Sequence, residues 1–147
     1  MSDNTTSKID IENRIDDWME RVSKLYTFIK ESLSSVPSYS TKENSEVTMY
    51  EELMQKYQLP PRQLKVLDIY HEGHIVATLK PIGLWIIGAN GRVDFLSKEG
   101  AVLLVDKSEK LHSSNWTCYT KTKKDKGEPF DKEHFLQFLG VHSNDPI

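Results

Sequence analysis

At Pro60-Pro61 the chain changes its hydrophobic rhythm, and no other feature limits the fold as much. Before the prolines, apolar residues recur at steps of three and four, the period of a helix. After them, apolar runs alternate with Gly, Asn and Pro at the spacing of β-hairpins. Helices first and strands afterwards describe an α+β chain with an antiparallel meander, not alternating βαβ units. The length of 147 residues fits one such domain.

The helical part opens on Ile11, Ile15, Trp18, Val22, Leu25 and Ile29, spaced 4, 3, 4, 3, 4. That seam belongs either to a coiled coil or to a helix lying on a core. It predicts a long amphipathic N-terminal helix over 10–35, preceded by a disordered lead-in over 1–9. Residues 36–45 are Ser-rich with Pro37 and read as a linker. Thr48 and Glu51 have capping-box spacing ahead of Leu53, Met54 and Tyr57, which predicts a short second helix over 49–58.

The body over 46–140 then continues as five or six antiparallel strands, with 63–70 and 75–80 flanking His71-Glu72-Gly73-His74. Asn90-Gly91 between the runs 84–89 and 92–96 is the residue pair favoured in type I′ hairpin turns. Such a turn would pair Ala89 with Arg92 and Trp85 with Leu96, fixing two faces. One would carry Leu84, Ile86, Val93 and Phe95. The other would carry Trp85, Ile87, Arg92, Asp94 and Leu96, and would be either covered by the first helix or open to a partner. Residues 101–105 and 116–120 supply further strands. Asp131, with Phe130 and Phe135 flanking it as a staple and Gly140 behind, marks a short C-terminal helix before a tail over 141–147.

Composition narrows the function classes. Net charge is −3, so a nonspecific polyanion binder is not the first expectation. The acidity sits at the front: residues 1–60 hold 7 basic and 11 acidic side chains, residues 61–147 hold 12 and 11. Apolar runs are too short for a membrane span, the start has no apolar leader, and Cys118 is the only cysteine. A cytoplasmic protein without internal disulfides is expected.

No phosphate-binding Gly-rich loop is present, so the sequence suggests no nucleotide cofactor. His71 and His74 are too few for a zinc site, and no metal or catalytic residue is assigned. A metal-dependent nuclease or small hydrolase would need two acids and a lysine converging. Asp94 and Asp106 are the acids available, yet Lys107 follows Asp106 directly and points to the other face.

Two binding readings remain. The first is a non-enzymatic protein-binding module, such as an inhibitor, an immunity or antitoxin-like protein, or an accessory subunit of a bacterial complex. It would use Trp85, Arg92 and Asp94, with Asp16, Asp17 and Glu20 on the first helix attracting a basic partner. The Ile11 to Ile29 seam would allow self-pairing. The second is a nucleic-acid-binding accessory factor using Lys121, Lys123, Lys124 and Lys126.

Overall fold

The computed structural model describes residues 7–122 and 126–141. Helix α1 (Lys8–Leu33) is followed by β1 (Tyr39–Met49), α2 (Glu52–Lys56), β2 (Arg62–His71), β3 (His74–Gly83), β4 (Arg92–Ser97), β5 (Gly100–Asp106), β6 (Trp116–Tyr119), β7 (Glu128–Pro129) and α3 (Lys132–Leu139). The strands form one antiparallel sheet in the order β1-β2-β3-β4-β5-β6-β7, so every strand pairs with its sequence neighbour. The class is α+β as the sequence implies, with seven strands rather than five or six.

Helix α1 begins at a reciprocal cap: the Ser7 hydroxyl accepts from Asp10 N–H, and the Asp10 carboxylate accepts from Ser7 N–H. Of the proposed lead-in, 1–6 lie outside the described residues and Lys8 and Ile9 are already helical. All six seam residues are buried against Leu67, Leu79, Val93, Phe95 and Leu104 of the sheet. The seam is therefore consumed by the chain's own core and offers no surface for self-pairing. Tyr26 extends this contact to the backbone, its hydroxyl donating to the Lys65 carbonyl at 2.6 Å. Helix α3 docks beside α1 on the same sheet face, with Asp131 capping it, Phe130 against Phe135 at 6.0 Å between ring centroids, and Gly140 left-handed at its end.

Three local expectations are corrected. The Ser-rich linker is mostly strand: Tyr39 to Met49 pairs along β2, with a register shift between Lys42 and Ser45. Thr48 bonds Gln63 across that ladder rather than capping a helix, so α2 shrinks to Glu52–Lys56. Most consequentially, 84–91 is a loop and not half of a hairpin; β4 pairs instead with β3, Leu79 opposite Phe95 and Lys80 opposite Asp94. The two-residue turn with both central φ positive occurs at Glu72 (+50°) and Gly73 (+85°), between β2 and β3. The tail beyond Val141 lies outside the described residues.

Candidate functional site

Asn90 and Gly91 serve a different purpose from a turn. The Asn90 N–H donates to the Asp106 carbonyl at 2.8 Å, and its carbonyl and side-chain oxygens accept from Arg21 and Arg14, each at 2.8 Å. Gly91 holds φ +130°, and a Cβ there would stand 2.2 Å from the Trp18 ring. The pair is the point where α1 meets the sheet, and glycine is required because tryptophan occupies the space a side chain would take.

Beneath it lies a buried polar cluster. Arg21, 4 % exposed, donates to Asp106 at 2.6 Å and to Asp17 at 2.7 Å, while its guanidinium lies 5.1 Å from the Trp18 ring centroid. Asp106 is fully buried and also accepts from the N–H groups of Ser108 and Asn115. Burial pushes its carboxyl upward, but the donors from Asn115, Ser108 and Arg21 together hold it below the ordinary carboxylate value.

The loop 84–91 is tied at both ends. The Glu51 carboxylate accepts from the N–H groups of Leu84 and Trp85, at 2.9 and 3.2 Å. Arg14 stacks over the Trp85 ring at 5.6 Å while bonding Asn90. Between these ties, Ile87 stands fully exposed (103 %).

The sheet has two unlike faces. Val93, Phe95, Leu104 and Cys118 point to the helices and are buried. On the opposite face, β3 carries Lys80 and Thr78 and β2 carries Asp68, hydrogen-bonded to Thr78 at 2.9 Å. Over β4 to β6 that face turns apolar. Ala101, Leu103, Val105 and Tyr119, with Ile86, Ile87 and Ala89 from the loop, line an open groove of about 820 Å³. An apolar stripe on the outer side of an antiparallel sheet departs from the usual polar exterior. Among the described residues, its charged lining residues are Arg92, Lys107 and Lys121.

The residues singled out in the sequence distribute over both sides. Arg92 and Asp94 share one face, the one turned away from the helices, and form a two-pronged ion pair at 2.7 and 2.9 Å, which holds the Arg92 guanidinium above its usual range. Trp85 does not join them; it sits under Arg14 at α1, because no hairpin places it opposite Leu96. Asp16 pairs with Arg62, Asp17 with Arg21 and Glu20 with Lys24, so each acid of the proposed lure meets a cation of this chain. Lys121 borders the groove and Lys126 is exposed; Lys123 and Lys124 lie outside the described residues.

Asp94 faces outward and Asp106 inward, which removes the pairing a metal-dependent nuclease needs. Among the described residues no three His, Cys, Asp or Glu side chains converge as a metal site, and no helix is long and apolar enough to cross a membrane. Burial and the nearby Glu128 raise the Cys118 thiol, which bonds the Glu128 carbonyl.

The groove residues Leu103, Val105 and Tyr119 were not among the candidates, and Ile87 was placed beside Arg92 and Asp94 only through a hairpin that does not form. The apolar run 101–105 was visible, but a strand apolar on both sides reads as buried on both sides. Comparison with protein-family models, curated proteins and solved structures returns no significant match.

Proposed function

We propose that this chain is a protein-binding module, of the inhibitor or accessory-subunit kind, that docks its partner on the outer face of β4 to β6. The supporting observation is the apolar groove edged by a fully exposed Ile87 on a loop anchored by Glu51, Arg14 and Arg21. An isoleucine held out in water by a tethered backbone gains nothing for folding, whereas covering it stabilises a complex. Arg92 lines the groove, already paired with Asp94 beside it. A cytoplasmic setting suits the buried single thiol.

The test is a photoreactive side chain introduced at position 87 in the native host, with position 80 on the polar part of the same face as control. One discrete crosslinked protein from position 87, lost on Leu103→Glu and not seen from position 80, is the expected result. Equal background from both positions would refute docking at this face.

A further inference from the structure

We infer that the occupant of the groove is an amphipathic helix whose apolar stripe is flanked by acidic residues; this rests on the docking reading above and specifies its partner. Three observations carry it.

The first is backbone satisfaction. Beneath the groove, Leu103 to Val105 pair with β4 on one side and β6 on the other, and only Gly100 to Val102 extend past the β6 ladder, too short an edge to pair a strand along the groove. An extended segment laid on this face would bury its own N–H and C=O groups without partners. A helix satisfies its backbone internally and can lie on a sheet face, as α1 already does on the inner one.

The second is length. From Ala101 in β5 to Lys107 just past its end the chain spans roughly 20 Å at ~3.3 Å per residue. A helix of about 13 residues covers that distance.

The third is charge. Among the described residues, every charged side chain lining the groove is cationic: Arg92, Lys107 and Lys121. Asp94 matches Arg92, which leaves the two lysines. Lys107 is rooted at the end near the loop and leans over the Tyr119 ring at 5.7 Å, while Lys121 follows Tyr119 toward the Ala101 end. On a chain of net charge −3, an apolar floor edged by two lysines complements a stripe flanked by acids.

The probes are two synthetic helical peptides of equal length with the same Leu stripe, one flanked by Glu and one by Lys, titrated calorimetrically into the full chain. The Glu-flanked peptide should bind at least tenfold more tightly, and Lys107→Glu with Lys121→Glu, both exposed positions, should abolish or reverse that preference. Equal affinity for both peptides would overturn the inference while leaving docking at the face intact. So would binding of neither peptide alongside a persistent position-87 crosslink. Tighter binding of anionic lipid vesicles than of either peptide would overturn it in favour of a membrane surface. Loss of both crosslink and peptide binding would remove the docking reading as well.

Discussion

Arg21 shows how a single side chain can hold two layers together. It reaches from α1 into the sheet and forms a buried ion pair with Asp106. Removing one member leaves the other buried and unpaired, so Arg21→Met should lower unfolding free energy by ~3–5 kcal/mol, read by urea titration. The same cluster sets an acid limit. Asp106 has its carboxyl held below the ordinary value of 3.8, so the unfolded chain takes up the proton first as pH falls. Its contribution is complete above about pH 5 and disappears as pH drops through the lowered folded value. Asp106→Asn should be less stable at neutral pH and should show a flatter decline of stability below about pH 4; an unchanged acid slope would contradict this assignment. Gly91 and Gly88 make a matched pair. Both hold positive φ, but only Gly91 abuts Trp18, whereas nothing lies within 4 Å of a Cβ at Gly88. Gly88→Ala should cost about 1 kcal/mol of backbone strain, and Gly91→Ala should cost ~3 kcal/mol or more because a ring must also move.

At the scale of elements, α1 was legible because six apolar residues repeat without interruption and the structure buries every one. Ile15→Ala should therefore destabilise the monomer by ~2–5 kcal/mol, measured by chemical denaturation. Helix α3 was legible for another reason: its cap, staple and terminal glycine act within a few residues of one another. The β2–β3 hairpin and the β4–β5 turn at Ser97 to Gly100 belong to the same group of local signals. Strand β1 was hidden because its side chains are mostly exposed, leaving no alternating apolar pattern; it exists through its ladder with β2. Asn90-Gly91 misled for a related reason. A turn propensity of this size is outweighed when both arginines of α1 and the Asp106 carbonyl bond the same asparagine.

Across the whole molecule, the helices claim one face of the sheet and the other is left partly apolar. Because Ile87 contributes nothing to the core, Ile87→Lys should leave the thermal midpoint within about 2 °C of the parent while weakening partner capture in a pull-down. The sequence by itself determined the class, the apolar helix seam, the closing helix and the placing of Arg92 and Asp94 on one face of their strand, since each depends on periodicity or on neighbours a few positions apart. Only the tertiary structure decided that β4 pairs with β3, that Trp85 turns to α1, and that the outer groove remains uncovered. Those outcomes depend on contacts between segments dozens of residues apart, Arg21 with Asp106 above all, and the energy of such contacts is not written in any local window of the chain.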